Sequence, residues 1–266
     1  MRPQRRAVLG GAQVKRLASW HSPAAPAVAS TIHPVAPCQS LADAPDGNGA
    51  GRIARRRLTG GAFSCGNDGH LVTSRARENH VRYNQLVDGL GGRASYELEF
   101  PNGGLAFVVG NVIGQSETTR NTTLLAFGAE GEEGADHEGR EHALHVVNNT
   151  FISHGMWPAI FLRVPDGKLK RPVEQRLANN LFIGLGVADA RWSDLARGNF
   201  IASPSVLRVG ESGPYTLHPM SALRGRGVDP GQAHGVDLRP RAAFTPPVGT
   251  RRVATARRWS PGAYQD

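Results

Sequence analysis

Arg75 and Arg77 are the cations whose type and spacing suggest chemistry. Two residues apart, they face one way on a strand. His70 and His80 lie nearby, and Arg93, Tyr96, Glu97 and Glu99 follow in one short stretch. A guanidinium binds a carboxylate through two parallel hydrogen bonds, and an aromatic ring packs on the apolar face of a cyclic ligand. Arg75, Arg77, Arg93 and Tyr96 in a row would suit a linear polyanion. The plainer alternative is a solvated strand face for the arginines and the wet side of a strand for Glu97 and Glu99. His142 and His145 lie beside Asp136 and His137 of an acidic segment, but they do not share strand parity, so no metal site is assigned.

Whatever positions these side chains must repeat, because the chain does. VVNNTFI, around Asn149, has counterparts around Asn84, Asn111, Asn180 and Asn199. Two residues after each Asn stands Leu86, Ile113, Phe151, Phe182 or Ile201. Three before it stands Val81, Val108, Val146, Leu177 or Ala196. The residue just before it is Asn or Gly, except for Tyr83. One copy has too few apolar groups for a core, so copies must stack. An Asn between two short strands tolerates the left-handed region and bonds nearby backbone, and stacked copies form an amide ladder. The pattern predicts an all-β chain, a right-handed parallel β-helix, with uneven spacing absorbed by loops. A β-sandwich with Asn-rich turns is the alternative.

Residues 1–60 are expected to be a disordered basic tail, 61–203 the β-helix, and 204–266 an irregular cap wrapping the last coil. The apolar piece after Arg5 and Arg6 is too short for a complete export signal, and further coils are expected to be missing upstream. ASYELEF alternates, with Tyr96, Leu98 and Phe100 on one face and Glu97 and Glu99 on the other. Residues 130–142 are expected to protrude as a charged loop.

The net charge of +9 is unevenly spread. Residues 1–60 carry +7, 61–203 carry −3 and 204–266 carry +5. The repeats are thus slightly acidic, which argues against a specific nucleic-acid groove. No apolar run is long enough to span a membrane. Cys38 and Cys65 make neither a disulfide framework nor a zinc site.

GHLVTSRARENHVRYNQL, RASYELEFPNGG, GAEG, VVNNTFI, FLRV and the closing VDPGQAHGVDLRP and WSPGAYQD together resemble bacterial right-handed parallel β-helix proteins of the pectate-lyase-like superfamily. The resemblance covers about residues 64–266, with Thr73 standing where the family usually has Lys. It implies a monomeric extracellular or periplasmic protein that binds or cleaves an acidic polysaccharide by β-elimination. That reaction requires neutralisation of the uronate carboxylate, a base for the neighbouring proton and an acid for the leaving oxygen. Arg75 and Arg77 are then the catalytic candidates, and His70, Arg93, Tyr96, Glu97 and Glu99 bind substrate. Calcium is the candidate cofactor, bridging Glu97 and Glu99 to the polymer. Hydrolysis would need two carboxylates flanking the bond, and Glu97 and Glu99 have no obvious third partner. The alternatives are a non-catalytic carbohydrate-binding or structural surface β-helix and a truncated, inactive product.

Overall fold

Short strands, many of them joined through left-handed residues, are the main regular structure of the described residues. The computed structural model describes residues 55–265, except 90, 120, 133–138, 166, 190–193, 195, 209–214 and 255–257. Strands β1 (Arg55–Thr59), β2 (Ala62–Phe63) and β3 (Val72–Thr73) form the first repeat. Strands β4 (Glu78–Arg82), β5 (Gln85–Val87) and β6 (Leu98–Phe100) form the second, and β7 (Leu105–Val109), β8 (Val112–Gln115) and β9 (Thr123–Phe127) the third. Next come β10 (Ala143–Val147), β11 (Thr150–Ser153) and β12 (Ala159–Arg163), then β13 (Glu174–Ala178), β14 (Leu181–Ile183) and β15 (Gly186–Ala188). A single strand, β16 (Phe200–Ala202), follows.

Corresponding strands of successive repeats pair in parallel. One sheet runs β1-β4-β7-β10-β13, a second β2-β5-β8-β11-β14-β16 and a third β3-β6-β9-β12-β15. Parallel sheets are usually covered on both faces, so their strands read as continuous apolar runs. LAFVV, TLLAF and ALHVV, nearly all buried, have that character.

The Asn positions stack as expected. Asn84, Asn111 and Asn149 each donate side-chain N–H to Oδ1 of the next Asn, at 2.9, 3.0 and 3.1 Å, and Asn180 to Asn199 at 2.8 Å. Each also donates to the carbonyl three residues before the preceding Asn place, as Asn149 does to Val108 at 2.9 Å. The left-handed residue is not the ladder Asn but the one before it: Tyr83, Gly110, Asn148, Asn179 and Gly198 have φ of 56, 70, 52, 57 and 68°. Inside, Phe63, Leu86, Ile113, Phe151 and Phe182 share one register and one core. The row ends at Ile201, which is 64% exposed on β16. Ala196 lies in an exposed turn, not a strand.

Three expectations need correction. The tail expected over 1–60 includes β1, which pairs along its length with β4; residues 1–54 lie outside the described residues. Gly61 takes the Asn place there, its N–H donating to Asn84 Oδ1 at 2.9 Å, so this repeat carries no Asn to announce it. The strand expected from Tyr96 begins only at Leu98, because the chain bends at Glu97. The bend breaks the alternation, and Glu97 and Glu99 are both buried rather than wet.

The third concerns the C-terminal part, which does more than cover the last repeat. It forms three antiparallel pairs: β17 (Leu207–Arg208) with β18 (Thr216–Leu217), β19 (Gln232–Ala233) with β20 (Val236–Asp237), and β21 (Ala242–Phe244) with β22 (Thr250–Arg252). Gly249 N–H reaches the Gly60 carbonyl in the first repeat, and Arg82 Nη2 the Asp237 carbonyl. Ala243, Ala263 and Tyr264 pack with Val112, Ile152 and Leu181 against the second sheet. Leu238 and Ala242 pack with Tyr83, Phe107 and Val147 against the first. These segments supply the second cover that the parallel sheets need.

Candidate functional site

The third sheet gathers several of the expected site residues. The Leu71 and Val72 N–H groups donate to the Tyr96 and Glu97 carbonyls, bringing the two segments side by side. His70 therefore stacks on Tyr96, with ring centroids 4.9 Å apart and planes inclined by 21°. His70 Nε2 lies 3.2 Å from Glu99 Oε2. The imidazole is 32% exposed, whereas the Glu99 carboxyl is almost sealed. His70 Nδ1 is buried without a hydrogen-bond partner among the described residues.

Arg75 and Arg77 are not on a strand; they sit in the corner between β3 and β4. Arg75 forms a two-bonded ion pair with Glu130, with Nη2–Oε1 at 2.9 Å, and donates to Asn102 Oδ1 at 2.8 Å. Arg140 Nη1 holds the Arg75 carbonyl at 2.9 Å. Arg77 is half-buried, and its carbonyl accepts from the Leu105 N–H.

Burial pushes the Glu99 carboxyl up to about 7; Glu130 adds to the rise and Arg75 opposes it. Burial lowers His70, with Glu130 opposing and Arg75 adding. Near neutrality a carboxyl in mid-titration thus faces a mostly neutral imidazole. Such a pair can exchange a proton in the range that acid–base chemistry uses.

Other expected residues lie apart from this cluster. Arg93 donates to Asn67 Oδ1 at 2.6 Å, stands 3.4 Å from Asp68 Oδ2, and lines a shallow pocket with Ser95, Asn121 and Thr122. Glu97 is 1% exposed, and neither carboxylate oxygen has a hydrogen-bond partner among the described residues. Burial raises it well above the usual carboxylate range, and the Asp88 charge adds to this. A calcium bridge from Glu97 to a surface polymer would lack its donor, because both oxygens are buried. His80 is on the first sheet, bonded to Glu78 at 2.6 Å.

Glu130 and Asn102 were missed because their partner, Arg75, is far away in sequence. A second constellation was missed as well. The position four before each Asn place holds Arg57, His80, Phe107, His145 and Arg176, and β-pairing sets them in one row. His80 stacks on Phe107 at 4.9 Å, and Phe107 on His145 at 5.2 Å. His142 is instead engaged with Glu132 at 2.8 Å, and the Gly104 N–H donates to its Nδ1. Asp136 and His137 lie outside the described residues. His145, Glu174 and His234 present ligand atoms within 4.8 Å of one another.

Compared with known proteins, the chain matches no family model, no curated protein and no solved structure. Among the described residues no helix is long and apolar enough to cross a membrane.

Proposed function

We propose that the three sheets wind as a right-handed parallel β-helix whose outer surface around His70 and Tyr96 binds an acidic polysaccharide outside the cytoplasm. The pairing of corresponding strands between repeats and the continuous Asn ladder support the winding. They agree with the resemblance to bacterial β-helix proteins of the pectate-lyase-like superfamily.

The observation that carries the binding reading is the partly exposed His70–Tyr96 stack. Two stacked rings make a platform for a sugar face. Arg75 and Arg93, on neighbouring segments, supply cations for uronate carboxylates. Their ion pairs with Glu130 and Asp68 are partly exposed, so a substrate carboxylate can compete with the acid for each guanidinium.

A catalytic reading rests on one further observation, the Glu99 carboxyl at about 7 beside His70. Glu99 is nearly sealed from solvent and His70 Nδ1 is buried, so the His70 ring would have to turn to carry a proton between Glu99 and a polymer. In β-elimination Arg75 would neutralise the uronate, and this pair would take the neighbouring proton and give a proton to the leaving glycosidic oxygen as the C–O bond breaks.

A panel of uronate polymers and neutral glycans, with and without calcium, separates the readings. Binding is followed by retardation in glycan-loaded gels, and cleavage by the ultraviolet absorbance of the unsaturated product. Binding restricted to uronates and lost in Tyr96→Ala supports the site. Product formation that also disappears in Glu99→Gln supports the lyase. An intact protein that binds no polymer overturns both.

A further inference from the structure

A second site lies on the other side of the chain, where the first sheet meets the C-terminal hairpin. His145 stands at the centre of β10 and is fully buried, yet neither ring nitrogen has a hydrogen-bond partner among the described residues. A buried imidazole ordinarily has at least one. Phe107 stacks on one of its faces at 5.2 Å, and His234, in the β19–β20 turn, approaches at a ring distance of 5.3 Å and a tilt of 54°. Glu174, on the neighbouring β13, reaches His234 Nε2 at 3.2 Å.

We propose that His145, Glu174 and His234 form a binding site for a first-row divalent transition metal ion, open on the side of the adjoining pocket.

The donor set is two imidazoles and a carboxylate, which suits zinc and its neighbours better than calcium or magnesium. Atoms bound to one such ion at about 2.0–2.2 Å lie about 3–4 Å from each other. The 3.2 Å between His234 and Glu174 is already in that range, and all three ligand atoms fall within 4.8 Å. His234 Nδ1 is turned toward the exposed Glu141 carboxylate, 3.6 Å away and too far for a hydrogen bond. That leaves Nε2 for the metal on the Glu174 side. Arg176 flanks the site as an opposing cation, with its Nη1 engaged by the Gln232 carbonyl at 2.9 Å. The pocket lined by Gln175, Arg176, Asp194, Arg197 and Gln232 borders Glu174 and His234 and leaves room for water or a small anion as a further ligand.

The test is calorimetric titration of the full, tag-free chain with Zn²⁺, repeated with Co²⁺ to read ligand-field absorption in the visible. One ion per chain is expected. His234→Ala and Glu174→Gln should each weaken binding more than about 100-fold. His80→Ala should change nothing, since His80 is bonded to Glu78 elsewhere in the row. His234 and Glu174 are surface residues, so their variants remain informative even if His145→Ala does not fold. Absence of saturable Zn²⁺ binding overturns the proposal. So does binding that survives both His234→Ala and Glu174→Gln, or displacement of Zn²⁺ by equimolar Ca²⁺.

Discussion

Glu97 shows how a single residue departs from its pattern. Alternation put it on a wet face, but the bend ahead of Leu98 reverses that and buries the carboxyl. Nothing in the local sequence marks such a bend. The position of Tyr96 beside His70 was foreseeable, since both belong to segments expected to stack. The Glu130 partner of Arg75, by contrast, arrives from a distant loop. A buried neutral polar group without hydrogen bonds costs about 1–3 kcal/mol, so Glu97→Leu should stabilise the protein by about that much at pH 5 and by more as pH rises. The sign of the pH effect follows from the raised folded pKa. In the unfolded chain Glu97 ionises near 4.5, while in the folded protein it keeps its proton well beyond that. The native state then binds more protons, and this residue's contribution to stability falls as pH rises above about 4.5. Urea titrations of parent and Glu97→Leu should diverge from pH 5 to pH 8; a constant gap would show that Glu97 is ionised in the folded state.

At the scale of the element, the ladder was the most legible feature, because identical residues doing identical work leave an identical trace. The first and second strands of each repeat flank the Asn and were found with it. The third strand carries no fixed residue and was read from its own apolar run, as in ASYELEF, whereas the first repeat has Gly61 in place of Asn and did not announce itself. Asn149 is fully buried, donates to Asn180 Oδ1 and Val108 O, and accepts from the Asn111 backbone and side-chain N–H. Asn149→Ala should leave several of these groups unmet, at about 1–3 kcal/mol each, and lower stability by at least about 3 kcal/mol. Thermal denaturation would report this, and a loss below about 1 kcal/mol would mean that the ladder merely decorates the turns.

For the molecule as a whole, the C-terminal segments act as the outer cover of two sheets. Their Pro- and Arg-rich sequence has no periodicity to reveal this, because irregular chain satisfies the sheets through isolated contacts. Ala263 N–H donates to Thr150 Oγ1 at 2.9 Å, and Asn148 Nδ2 to the Ser260 carbonyl at 2.9 Å. Gly262, at φ 97°, leaves no room for a side chain beside Thr150. Removing residues 260–266 exposes the patch under Tyr264 and should cost at least about 2 kcal/mol, the worth of one large buried side chain with its bonds. An unchanged denaturation midpoint would show that this segment only rests on the surface.

The central claim is that a polyanionic sugar chain lies across the His70–Tyr96 platform between cations. Its most direct measurement is the binding isotherm of a uronate polymer with the parent protein and with Tyr96→Ala and Arg93→Ala. The account predicts saturable binding that weakens with added salt, since carboxylate–guanidinium attraction is screened. Loss of ring or cation should reduce affinity by about tenfold or more, the equivalent of about 1.4 kcal/mol. A neutral glycan bound equally well, or a uronate isotherm unchanged in both variants, would contradict it.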